Sequence, residues 1–277
     1  MGFHAQLDRS WTSAGSMLCV GLDPDVRRFP HDVAARPDAI EHFCREIVDA
    51  TAHVACAFKP QIAYFASQGA ETALAAVCEY IRSEYPDVTL ILDAKRGDIG
   101  STADHYAREA FLRYGAHAVT VNPYLGTDSI EPFFDEANNP QGGGVILLCR
   151  TSNPGGDDLQ SLIVEDGAGT GRPLYAHVAK LAAERWSHLG DLALVVGATY
   201  PTELADVRSI VGDLPLLVPG IGAQGGDASA VTEYGSRADG RGLVVSSSRA
   251  ILYASDDDDF AEAARAEAER TASLLRS

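Results

Sequence analysis

An apolar run that closes in "VTLILDAKRGD" (88–98) packs four charges, Asp93, Lys95, Arg96 and Asp98, into six positions. Side chains alternate along a strand, so Asp93 and Lys95 are expected on one side, with Ala94 opposite. Taken alone, D-x-K has a plain explanation as an ion pair closing a strand end. Two other apolar runs weigh against it: "ACAFK" ends in Lys59 and "CVGLD" ends in Asp23. If these runs are neighbouring strands, Asp23, Lys59, Asp93 and Lys95 share one rim. Converging charges are costly to desolvate unless they offset one another, and they mark sites that tune protonation. Carboxylates beside each lysine hold it protonated, so the lysines are acids, not bases. Two unit charges ~4 Å apart interact by about 4 kcal/mol at an effective dielectric of 20. A substrate carboxylate beside Asp93 is repelled on that scale. A carbanion forming beside Lys95 is attracted and can take its proton. Decarboxylation followed by protonation is the chemistry such an array favours.

A second candidate is "VPGIGAQGGD" (218–227), where Gly220, Gly222 and Gly225 fit G-x-G-x-x-G after a strand and before a helix-like stretch. A dinucleotide fingerprint has that form. Here only one strand remains downstream, and it ends in "SSSRA" with no acidic residue. A phosphate site fits better, with the glycine amides, Gln224 and Arg249 as the clamp. Tight turns alone would account for the glycines but not for Arg249 beside them.

The elements that must position these residues are short and nearly continuous in apolar side chains, as in parallel strands buried on both faces. Strands are expected at 16–22, 54–59, 88–94, 117–122, 144–150, 192–198, 215–220 and 243–248. Helix-like segments lie between them, including "DAIEHFCREIVDAT", "ETALAAVCEYIRSEY" and "GRPLYAHVAKLAAERWSHL", and an Ala/Glu/Arg-rich segment (259–276) follows the last. Alternation alone does not separate an open sheet from a closed one. Eight such units lead us to expect a (β/α)₈ TIM barrel, one α/β domain over 1–277, with its site at the C-terminal strand ends. The irregular stretch 150–173 is expected to be a mobile lid over that mouth. "DDDD" (256–259) suits the dipole of the last helix and lacks calcium-loop spacing.

The chain of 277 residues carries 22 basic and 39 acidic side chains, a net charge of -17. Such a surface repels nucleic acid and anionic membranes, and an anionic substrate needs a local cluster of cations. Cys19, Cys44, Cys56, Cys78 and Cys149 form no CxxC pair and read as reduced core thiols of a cytoplasmic protein. The histidines show no zinc spacing. No signal peptide or membrane-spanning run is evident.

Together "FKP", "LDAKRGDIGSTA", "TSNPG", "VPGIGAQGG" and "SSSRAI" resemble orotidine 5′-phosphate decarboxylase, in its longer bacterial form, over nearly the whole chain. The resemblance implies a barrel homodimer that converts orotidine 5′-phosphate to UMP and CO₂ without metal or organic cofactor. It implies Lys95 as proton donor to C6 of the pyrimidine, Asp93 beside the departing carboxylate, and Lys59 bridging Asp93 to the ribose. Asp98, with Ile99 and Thr102, would reach the partner subunit's site. Asp23 would hold a ribose hydroxyl and Ser152 the pyrimidine edge, with Pro219, Gln224 and Arg249 along the phosphate. Ser248 stands where the family has glycine before its arginine, and Arg96 has no implied role. Two rival activities are a magnesium-dependent decarboxylase of a phosphorylated keto-sugar acid and a non-catalytic nucleotide monophosphate binder. The first wants a carboxylate on the second strand, where this chain has Lys59; the second has no need of mutually stressed charges.

Overall fold

The computed structural model describes residues 1–165, 171–221 and 227–276. The strands are β1 (Leu18–Leu22), β2 (Ala57–Pro60), β3 (Thr89–Arg96), β4 (Ala118–Val121), β5 (Gly144–Arg150), β6 (Ile163–Glu165), β7 (Gly171–Pro173), β8 (Leu192–Val196), β9 (Leu216–Pro219) and β10 (Leu243–Ser247). Eight of them close a barrel in the order β1-β10-β9-β8-β5-β4-β3-β2. Every pairing within it is parallel. These are the eight runs expected from sequence. The pair β6 and β7 forms a separate antiparallel ribbon.

Burial explains why the runs are continuous. β1, β8 and β10 are buried at every position, with the barrel interior on one side and helices on the other. The helix Ala39–Thr51 turns Ile40, Phe43, Cys44, Ile47, Val48 and Thr51 inward at helical spacing. Phe43 there stacks between Phe29 (centroids 4.0 Å apart) and Phe260 of the C-terminal helix (5.1 Å). All five cysteines are free and buried, as expected for core thiols.

The amino-terminal segment is a helix, Phe3–Ala14, which burial alone would not require of so polar a stretch. Its apolar residues Phe3, Leu7 and Trp11 recur every fourth position and are all buried. The helix lies under the amino-terminal ends of the strands. Trp11 Nε1 donates to Leu243 O at 2.8 Å, Ser10 Oγ meets Thr89 Oγ1 at 2.8 Å, and the Phe3 amide donates to Gly142 O at 3.2 Å. A side chain at Gly144 would collide with the Phe3 ring. The helix therefore stoppers one end of the barrel, and the opposite end is left for chemistry.

The described residues of the segment 150–173 are 150–165 and 171–173. They form a turn at Pro154–Gly156, a helical turn at Asp157–Gln160 and the β6–β7 ribbon. Arg150, 1% exposed at the end of β5, anchors the segment's start. Its guanidinium donates to Asp157 Oδ1 (2.6 Å) and to Glu203, and lies 4.2 Å over the Tyr200 ring. The acids at 256–259 precede the last helix, Phe260–Leu274, with Asp259 as its N-cap.

One half-buried titratable group bears on stability. His117, just before β4, accepts the Leu90 amide on Nδ1 at 2.9 Å. Burial, then the nearby Arg82 charge, lower it from 6.5 to about 4. The unfolded chain therefore takes up a proton before the native one does. Stability contributed by neutral His117 is complete above pH 6.5 and is lost as pH falls toward 4, by at most about 1.4 kcal/mol per pH unit. Asn at 117 keeps an acceptor but does not titrate, so His117→Asn should flatten the fall in urea midpoint across that window. An unchanged slope would remove His117 from the account.

Candidate active site at the carboxyl-terminal mouth

β3 is buried through Asp93 and then emerges, with Ala94 and Arg96 half-buried and Lys95 exposed. The emergence places a carboxylate at the edge of the core and an ammonium above it. Asp93 Oδ2 accepts from Lys59 Nζ at 2.8 Å, and Asp93 Oδ1 accepts from Lys95 Nζ at 2.6 Å. The Lys59 and Asp93 side chains are only 7% and 9% exposed, whereas that of Lys95 is 47% exposed. One lysine is thus a fixed internal counter-charge, and the other is open to a ligand.

The electrostatics follow from the spacing. Burial alone would raise the Asp93 carboxyl, but the Lys59 and Lys95 ammoniums overcome it and hold Asp93 well below the usual carboxylate range. Burial would likewise lower Lys59, but Asp93 and then Asp23 outweigh it and raise the ammonium above its ordinary value. Both stay ionised at neutral pH. Cys19, inside the barrel near this pair, is pushed up to about 12 by burial and is a neutral thiol, not a nucleophile.

Simple alternation does not describe how Asp93 and Lys95 meet. Lys95 has φ +46, the single positive-φ residue other than glycine among the described residues. The β3–β4 register shifts between Leu92 and Arg96. Thr120 of β4 faces this irregularity, and its hydroxyl bonds to Asp93 Oδ1 at 3.0 Å. Nothing in the apolar run "HAVTVN" distinguished Thr120 beforehand.

Beside the charged trio lies a cleft of about 340 Å³, lined in part by Asp23, Lys59, Pro219, Ser246, Ser248 and Arg249. Two of the strand-end ions, Asp23 and Lys59, and the arginine after the last strand thus border one space, while Lys95 lines a separate cleft with Gln61 and Arg96. Arg249 makes no ion pair among the described residues and so keeps its charge for a ligand. Asp23 Oδ1 is buried without a hydrogen-bond partner among the described residues, an acceptor with capacity for a further donor. Tyr64, from the helix Ile62–Ala66, also borders the cleft; sequence gave no sign of it. Ser248 fits against Gly21, where any side chain would collide with its hydroxyl. Ser152 sits at the end of β5, against Gly197, where a Cβ would come within 2.9 Å of its backbone.

Three predicted residues are apart from the trio. Asp98 Oδ1 accepts its neighbour's amide, Ile99 N, at 2.8 Å, and Ile99 and Thr102 are exposed. Gln224 lies outside the described residues, as do Gly222 and Gly225. Arg96 is explained by an internal pair: its guanidinium binds both Glu109 oxygens at 2.8–3.1 Å and lies 4.5 Å over the Tyr106 ring.

Comparison with known proteins gives a consistent result. A family model described as "Orotidine 5'-phosphate decarboxylase / HUMPS family" matches residues 16–265. The orotidine 5'-phosphate decarboxylase of Janthinobacterium sp. (strain Marseille) is 58% identical over 265 residues, 96% of this chain and 94% of that protein. The Bordetella petrii protein of the same name is 57% identical, covering 95% and 94% of the two chains. Among solved structures, Leishmania donovani OMP decarboxylase superposes with a TM-score of 0.81 at 38% identity, covering 99% of both chains. A putative orotidine-monophosphate-decarboxylase from Toxoplasma gondii gives 0.85 at 34% identity, covering 99% of this chain and 96% of that one.

The buried pair yields a stability test. Asp93→Ala strands the Lys59 ammonium in the core, which should cost about 3–5 kcal/mol in urea unfolding. Adding Lys59→Met should recover part of that loss, because no unpaired ion remains. Strict additivity of the two changes would show that the pair is not coupled. The Asp93 contribution is present above the ordinary carboxylate value of 3.8 and is lost only as pH falls well below it.

Proposed function

The chain belongs to the orotidine 5′-phosphate decarboxylase family and is a carboxy-lyase that converts orotidine 5′-phosphate to UMP in pyrimidine biosynthesis; from that premise we propose how its side chains do so. The observation that carries the proposal is the continuous Lys59–Asp93–Lys95 hydrogen-bonded trio beside the cleft. The substrate carboxylate lies next to Asp93, which cannot relieve the repulsion by taking a proton at neutral pH. The C6–carboxylate bond breaks, its electron pair stays on C6, and CO₂ leaves. The Lys95 ammonium attracts the forming carbanion and gives C6 a proton; the resulting amine regains one from solvent. Stabilisation that appears only as charge develops lowers the barrier rather than tightening substrate binding.

The remaining residues orient the nucleotide. Lys59 and Asp23 hold ribose hydroxyls, for which the unpartnered Asp23 Oδ1 is suited. Ser152 meets the pyrimidine edge. Arg249, with Pro219 and Gln224, receives the phosphate. The segment 150–173 closes over the mouth as a lid pivoting on Arg150. No metal or organic cofactor takes part, and the enzyme works in the cytoplasm.

We further propose a homodimer with shared sites. Asp98, with Ile99 and Thr102, completes the partner's charge array. Supporting this, Ile99, Tyr124 and Leu125, all beyond strand carboxyl ends, are 56%, 79% and 48% exposed, an unusual apolar display around a charged mouth.

Loss of the orotate-ring absorbance should follow addition of purified protein to orotidine 5′-phosphate and should survive EDTA. A strict magnesium requirement would favour the keto-sugar-acid decarboxylase, and no absorbance change would favour a binder. Lys95→Ala should stay folded and lose at least about 10³-fold in kcat; full turnover would refute its role as donor. Asp98→Ala and Lys95→Ala subunits, mixed and shown to form mixed dimers, should regain partial activity, since one shared site is then intact. Absence of recovery would count against shared sites.

A further inference from the structure

β3 advances four residues, from Leu92 to Arg96, while its partner β4 advances two, from Val119 to Val121. The surplus must be accommodated between them, and Thr120 lies opposite it. Its Oγ1 accepts the Ala94 amide and the Lys95 amide, each at 2.9 Å. A hydroxyl has two acceptor sites and one proton. With both acceptor sites occupied, the proton is directed to Asp93 Oδ1, 3.0 Å away. That same oxygen receives the Lys95 ammonium at 2.6 Å. Thr120 is 1% exposed, so water cannot readily replace any of the three bonds.

We infer that Thr120 is a positioning residue for the decarboxylation, fixing through one hydroxyl both the Asp93 carboxylate and the left-handed backbone from which Lys95 reaches it. A left-handed conformation at a residue with a Cβ is strained and persists only where its surroundings hold it. The two amide bonds to Oγ1 supply that hold. Without them the backbone at Lys95 relaxes and its ammonium leaves the place set for it. The phosphate and ribose groups, Arg249 and Asp23, come from other strand ends and are not moved. The inference rests on Lys95 acting as the proton donor.

The test compares Thr120→Val, which keeps the shape and removes the hydroxyl, with Thr120→Ser, which keeps the hydroxyl. An ångström of misplacement can cost about 10²-fold, so Thr120→Val should lose kcat on that scale. Its KM should stay within about threefold of wild type, the signature of an interaction realised in the transition state. Thr120→Ser should recover most of the loss. Thr120→Ala, which cannot overpack the site, replaces Val if that variant does not fold. A wild-type kcat in Thr120→Val or Ala, an equal loss in Thr120→Ser, or a loss confined to KM would each overturn the inference. Lys95→Ala in the same series separates the two levels: if it is active, the donor assignment fails, whatever Thr120 does; if it is dead and Thr120→Val keeps the wild-type kcat, only the role of Thr120 fails.

Discussion

A carboxylate removed from water and held between two ammoniums sets the terms for the rest of this molecule. Asp93 bonds Lys59 on one oxygen and Lys95 on the other. Desolvating one ion of such a set without its neighbours costs several kcal/mol, so the three must be brought in together. Parallel strands of a closed barrel can do this, because their carboxyl ends converge on one rim while their apolar bodies bury one another. The asymmetry of exposure gives the set a direction. Lys59 is largely buried and meets the cleft only at its edge, whereas Lys95 is open at the surface.

Holding these ions demands local departures from regular structure. The β3–β4 ladder carries extra residues at its end, and Lys95 takes a backbone conformation that long side chains rarely adopt. Elsewhere around the rim close approach serves the same end: Gly21 admits Ser248 and Gly197 admits Ser152. Arg150 ties the strand end, the following segment and the helix Pro201–Val211 into one polar knot. Regular strands form the frame, and irregular ends aim the chemistry.

This division governs what could be read from sequence. The barrel strands were legible because doubly buried strands leave uninterrupted apolar runs, and the strand-terminal ions were legible because charge is conspicuous after such runs. The Phe3, Leu7 and Trp11 stripe was available in the amino-terminal segment, but its polar neighbours masked it. The rest depends on distance in space. Arg96 finds Glu109 thirteen residues on, and Arg150 finds Glu203 fifty-three residues on, partnerships that no local spacing encodes. Thr120 is ordinary for a strand, since a β-branched hydroxyl residue suits a strand anywhere; only the bulge opposite gives it significance. Alternation placed Asp93 and Lys95 together for an incomplete reason, because it takes no account of a left-handed residue.

The helix Phe3–Ala14 covers the base of a barrel whose interior is already filled by buried side chains. With that interior packed and Trp11 and Phe3 set against its base, nothing can pass through from one side to the other. Gas and nucleotide must both depart by the aperture through which the reactant came. The gas is small and uncharged, whereas the nucleotide retains its phosphate and ribose. Both products therefore share one exit, and neither can leave by the far end of the barrel.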